Sequence, residues 1–182
     1  MTGEELVREA RMASKGFQSK CRKFSGAVAA ELLKRALEDE GVLTSARDVF
    51  IRGVPLELDL VIPYSGQEPT LDLLYEPEQV ALALEVKKSG SFGERTLQAI
   101  HSNFEELGKF NVKCAYVTLE ERKSYRHKAT KENLGGHECF TLAWHKASDG
   151  PVEDTNDWNR LLTFIRSRIS AANTLAAAQA SG

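Results

Sequence analysis

The sequence predicts one domain of α/β or α+β type, a central sheet with helices packed on it, and three observations carry that expectation. The first is the apolar period. It is close to 3.6 residues in segments 25–39, 94–108 and 156–178, and it is strand-like in 48–53, 56–62, 79–87, 112–119 and 138–144. Helix, strands, helix, strand, strand, helix is the order of a sheet covered by helices, because every element has an apolar face to bury. The second is size and composition. A chain of 182 residues that is 42% hydrophobic and 27% charged holds one ordinary core, which excludes collagen, low-complexity sequence and wholesale disorder. The third is that no internal repeat or linker divides it, so residues 1–182 are expected to form a single domain.

Charge and cysteines narrow the class. Lys and Arg number 24 against 26 Asp and Glu, a net charge of −2. The basic balance usual in nucleic-acid binders is absent overall, although a local basic face fits within such a total. There are 3 cysteines, Cys21, Cys114 and Cys139, with no CxxC pair, which argues for reduced thiols rather than a disulfide framework. Met1-Thr2-Gly3-Glu4-Glu5 lacks the apolar run of a secretory signal. The longest nearly apolar stretch, Val80–Leu84, is too short to cross a bilayer. A soluble cytoplasmic protein with no membrane partner is the expectation.

Residues 1–23 read as an N-terminal arm or helix carrying Arg8, Arg11, Lys15, Lys20, Arg22 and Lys23, a solvated face first and a phosphate-contacting arm second. Ser25 is placed to cap the first helix, since its oxygen accepts from free first-turn amides. Val28, Ala29, Leu32, Leu33, Ala36 and Leu37 form its apolar arc, and Glu31, Lys34, Arg35 and Glu38 its polar arc. Gly41 ends it. In segment 56–62, alternation puts Leu56, Leu58, Leu60 and Ile62 on one face and Glu57, Asp59 and Val61 on the other. Pro63 to Pro69 is a loop by its Pro and Gly content, and 71–75 is either a short edge strand or part of that loop. The strand over 79–87 is the clearest, and a turn-rich break from Lys88 to Gly93 follows it. Leu97, Ile100, Phe104 and Leu107 stripe the next helix. Trp158, Leu161, Leu162, Ile165 and Ile169 stripe the last, which starts near Asn156, and the Ala-rich end, 171–182, is expected to fray.

The chemistry lies where charge interrupts apolar strands. Glu85 and Lys87 are two apart in a strongly apolar strand, so both point to one face, beside the small residues Ala81 and Ala83. The strand breaks just beyond, and strand C-terminal ends are where sheets of this class place ligands. An ordinary Glu/Lys pair emerging into solvent is the plain alternative. Asp59 tips the balance: it lies in the middle of a second apolar strand, where a carboxylate is costly unless paired or bound to a metal. Two strands of one sheet could bring Asp59 and Glu85 side by side, and Mg²⁺ suits a pair of carboxylates plus waters. A nearby ammonium holds water and offsets developing negative charge.

Asp59 followed by Glu85-Val86-Lys87 resembles the signature of the PD-(D/E)XK nuclease superfamily, the restriction-endonuclease-like fold. The order agrees over residues 25–119: a helix bearing Glu31, a hairpin bearing the Asp, the Glu-x-Lys strand, a helix and another strand. The resemblance implies an α/β domain with a central mixed sheet of about five strands flanked by helices. It implies a metal-dependent phosphodiesterase, with Mg²⁺ or Mn²⁺ held by Asp59, Glu85 and the Val86 carbonyl. Lys87 orients the attacking water and Glu31 assists. Glu31 lies on the polar arc, so a solvated surface role competes. Leu58 stands where the motif has Pro, and the Asp-to-Glu spacing is long; Asp72 is closer to Glu85 but follows a Pro-rich loop. Nucleic acid, and DNA in particular, is the implied partner, and a homodimer follows by analogy with other members.

Other signals are weaker. Gln98 and His101 fit a polar helix face near the site. His137, Cys139, Cys114 and His127 have no zinc spacing. Ser65, Ser89 and Ser91 lack a partnered His/Asp pattern, and the glycines at 90 and 93 match no phosphate loop. Arg122, Lys123, Arg126, His127, Lys128 and Lys131 are the best basic patch, read as a solvated loop or as phosphate contacts. The competing function is a nuclease-fold module that binds nucleic acid or a protein without cutting.

Overall fold

The structure is a computed structural model, and it describes residues 5, 6, 8, 22–45, 47–88, 94–120, 134–147, 150–153 and 156–179. The basic segments 9–21 and 121–133 lie outside them. Helix α1 (Arg22–Asp39) leads to strands β1 (Arg47–Ile51), β2 (Glu57–Pro63) and β3 (Leu74–Tyr75). A 3₁₀ turn (Pro77–Gln79) opens β4 (Val80–Lys88). Then come α2 (Glu94–Lys109), β5 (Cys114–Glu120), β6 (Glu138–Ala147), β7 (Gly150–Glu153) and α3 (Asp157–Gln179). No described helix is long and apolar enough to cross a membrane.

The sheet has seven strands, in the order β3-β1-β2-β4-β5-β6-β7. The expected five are exceeded by the edges: β3 is two residues long, and β7 pairs antiparallel with the end of β6. β3 falls within 71–75, where the sequence leaves an edge strand or a loop open, and β7 carries too little alternation to be recognised. The sheet is mixed as expected. β2 pairs antiparallel with β1 and β4, while β4, β5 and β6 run parallel. The parallel step from β4 to β5 is made through α2, the crossover a parallel pair requires.

Two cores cover the two faces. On one, Leu33, Ala36 and Leu37 of α1 and Leu161, Leu162 and Ile165 of α3 pack on Leu60, Ile62, Leu82, Leu84, Val117 and Phe140. On the other, Leu97, Ile100, Phe104 and Leu107 of α2 pack on Val49, Ile51, Val61, Ala83 and Tyr116. The α2 stripe is the one expected. Gly41, at φ +76°, closes α1 by a Schellman arrangement: Val42 N–H donates to Leu37 O at 2.9 Å and Gly41 N–H to Glu38 O at 2.9 Å. Asn111, at φ 60°, does the same for α2. Ser25 is not the cap of α1, because the helix already begins at Arg22. The segment from 171 expected to fray continues α3 to Gln179.

One expectation about faces is corrected. The four alternating apolar residues of β2 do not share a face: Leu60 and Ile62 join the α1/α3 core, whereas Leu58, with Leu56 packed beside it, joins the α2 core. The partner strand shows where. Arg47 pairs with Leu60 and Val49 with Leu58, and between them Asp48 sits at φ 57°. This left-handed residue lies across from Asp59 in the register, at the level where the face changes. Leu33→Ala removes a fully buried side chain that fixes α1 to the sheet. It should cost about 2–5 kcal/mol of stability, read as a lower urea midpoint with unchanged slope.

Candidate active site

The site is built where β2 leaves β4. Their ladder runs from Pro63↔Val80 to Leu60↔Leu84. One step further, the register sets Asp59 opposite Glu85, but there the side chain replaces the backbone. The Val86 N–H donates to Asp59 Oδ2 at 2.8 Å. The carboxylate thus satisfies an amide the ladder would otherwise orphan, and the bond pins Asp59 against the end of β4.

Lys87 closes the group. Its Nζ lies 2.5 Å from Glu85 Oε1 and 3.3 Å from Asp59 Oδ2. The structure therefore brings Asp59, Glu85, Val86 and Lys87 together, and none of the side chains is free in solvent: Glu85 is 17% exposed, Asp59 29% and Lys87 36%. Burial raises the Glu85 carboxyl above its ordinary range, the Asp59 charge raises it further, and Lys87 opposes both. Burial disfavours the Lys87 ammonium, but the two carboxylates outweigh it and its pKa is raised. Lys87 is thus a cation at neutral pH.

Glu31 is held by two arginines. Its carboxylate accepts from Arg35 Nε at 2.9 Å and lies 3.2 Å from Arg47 Nε, while Arg47 also donates to Ala27 O. Asp72 sits at φ 30° in an exposed turn ahead of β3, not beside β4. Gln98 is exposed. His101 lies instead with His137 around Glu105, whose Oε1 is 3.4 Å and 3.6 Å from their Nε2 atoms. Burial pushes the thiols of buried Cys114 and half-buried Cys139 up to about 12, which disfavours the reactive thiolate.

Sequence inspection missed one residue beside the site. Thr118 of β5 is in register with Lys87 of β4, and Tyr116 with Glu85. Thr118 is fully buried, and its Oγ1 has no hydrogen-bond partner among the described residues. The only trace of it in the sequence is a hydroxyl inside an apolar strand, which threonine's fondness for strands disguises.

Among the described residues, no group of three or more His, Cys, Asp and Glu side chains is arranged to hold a metal ion. The donor set is two facing carboxylates. Such a pair, with a backbone oxygen and waters, meets the needs of Mg²⁺, which commonly takes one or two carboxylates and keeps much of its hydration.

No family model matches the chain, and no curated protein matches it. Among solved structures it is similar to NucC of E. coli MS115-1 in its cAAA-bound form, with a TM-score of 0.63, 11% sequence identity, and coverage of 91% of this chain and 87% of that one. This chain shares the fold of NucC. At that identity the likeness concerns architecture: an α/β domain with a mixed sheet flanked by helices, of restriction-endonuclease-like kind.

Folded Glu85 keeps its proton to higher pH than the unfolded chain does. Its contribution to stability is therefore greatest below its ordinary value of 4.5 and falls as pH rises through the raised folded value. Asp59→Asn removes the repelling charge. In EDTA, carboxyl-carbon NMR should show Glu85 titrating at lower pH in that variant, and an unchanged midpoint would contradict a repulsive contact between the two carboxylates.

Proposed function

We propose that this chain is a metal-dependent nuclease hydrolysing phosphodiester bonds in DNA, with Mg²⁺ as cofactor and Mn²⁺ as its substitute. The observation that carries this is the convergence of Asp59, Glu85 and Lys87 at the point where β2 and β4 part. The fold shared with NucC supports it.

Asp59 and Glu85 would hold the cation through side-chain oxygens, and the Val86 carbonyl would add another. When bound, the cation supplies charge stabilisation at the phosphoryl oxygens and activates water. The protein's own groups do the rest. The Val86 N–H keeps the Asp59 carboxylate from turning away. Lys87, protonated, donates to the oxygen of the attacking water and stabilises negative charge developing on the phosphate. Glu31 enters as an assisting group on α1, while held by Arg35 and Arg47.

A second reading has one observation in its favour. Lys87 already engages both carboxylates, as it would in a module that binds nucleic acid or a protein without cutting. Manganese calorimetry separates the two: binding heat in the wild type that Asp59→Asn abolishes belongs to the enzyme.

Plasmid DNA should be cut with Mg²⁺ and left intact with EDTA. Lys87→Ala should lower the rate by about 100-fold or more, the usual range for losing a group that acts on the reacting proton or charge. Glu85→Gln should do likewise, and Glu31→Gln far less. Full cleavage by Lys87→Ala, or none by the wild type, overturns the proposal.

A further inference from the structure

We propose that Thr118 is a positioning residue for Lys87, its hydroxyl receiving the Lys87 ammonium when a divalent cation takes Asp59 and Glu85. This rests on the nuclease reading. A divalent cation at these carboxylates repels an ammonium on the same oxygens and competes with it for their lone pairs. In this structure, Lys87 Nζ lies 2.5 Å from Glu85 Oε1 and 3.3 Å from Asp59 Oδ2. Binding of the cation therefore favours movement of Lys87 away from those oxygens. A displaced ammonium in a partly buried place needs a new acceptor, or the displacement itself opposes binding.

The fold places one such acceptor alongside. Lys87 and Thr118 are in register on parallel strands. In-register residues of a parallel pair share a face, as Ala83 and Cys114 do two pairs further along the same face. Neighbouring strands lie about 4.8 Å apart, within reach of the four-carbon lysine stem. Thr118 is fully buried, and among the described residues its Oγ1 has no partner in this state. Buried hydroxyls are nearly always bonded, so this exception needs a cause. Valine would fill the same volume without stranding a polar atom. A threonine there is explained if its hydroxyl is used in the other state of the site, accepting from Nζ. Thr118 then acts through Lys87 and touches neither cation nor substrate. Its effect is to hold the ammonium next to the pocket, where it can serve the water, instead of letting it compete for the carboxylates.

The test is a cycle of Mn²⁺ calorimetric titrations on the full chain: wild type, Thr118→Val, Thr118→Ser, Lys87→Ala, and Lys87→Ala with Thr118→Val. Thr118→Val should weaken Mn²⁺ binding on the order of tenfold, the scale of one hydrogen bond to a charged group. Thr118→Ser should restore wild-type affinity and cleavage rate. In the Lys87→Ala background, Thr118→Val should change nothing. Thermal melting in EDTA should show Thr118→Val at least as stable as wild type, since no polar atom is then stranded, and Thr118→Ala provides a second hydroxyl-free variant. Equal Mn²⁺ affinity in wild type and Thr118→Val overturns the proposal alone, as does an equal loss with and without Lys87. Absence of Mn²⁺ binding by the wild type overturns it together with the nuclease reading.

Discussion

Asp59 and Glu85 face each other across neighbouring strands, at a depth where two negative charges repel strongly, and one ammonium offsets that repulsion. The rest of the site depends on this contact. Lys87 keeps its proton because the carboxylates are there, and Glu85 keeps its carboxyl raised because burial and Asp59 together exceed what Lys87 returns. The trio carries one surplus negative charge when all three groups are ionised. A divalent cation is the partner whose charge matches a pair of carboxylates, and it leaves the ammonium available for other work.

Backbone geometry creates the place for it. Had β2 stayed paired with β4 past Leu60, the Val86 amide would have met a carbonyl, and Asp59 would have been one more residue on a strand face. Instead Asp48 turns β1, β2 changes face between Leu58 and Leu60, and the Asp59 side chain takes the amide. The cores on both sides make this departure tolerable. Leu60, Ile62, Leu82 and Leu84 are locked under α1 and α3, and Val61 and Ala83 under α2.

Much of this was legible in the residues. The stripe Leu97, Ile100, Phe104, Leu107 is helical by spacing, and the same side chains are buried under the sheet. Glu85 and Lys87 stood out because charge inside an apolar strand carries a cost that must be met locally. Asp59 stood out for the same reason. Edge strand β7 was not legible and β3 was legible only as one of two readings of 71–75, being four and two residues long and held by pairing rather than by pattern. Ser25 looked like a cap because local chemistry is all a sequence offers at a helix start, yet the helix already begins at Arg22.

The sequence by itself determined the element types, the helix stripes and the three charged residues, because each follows from the period or polarity of neighbours along the chain. Tertiary structure alone decided which carboxylate meets Glu85. Asp59 and Asp72 are both compatible with the linear order, and only strand register distinguishes a residue one step past Leu60↔Leu84 from one in an exposed turn. It also decided that Glu31 meets Arg47, and that Thr118 stands beside Lys87 with a hydroxyl unpartnered among the described residues. Each of those neighbours comes from pairing or packing between elements, or from a salt bridge to another strand, and separation along the chain does not encode such distances.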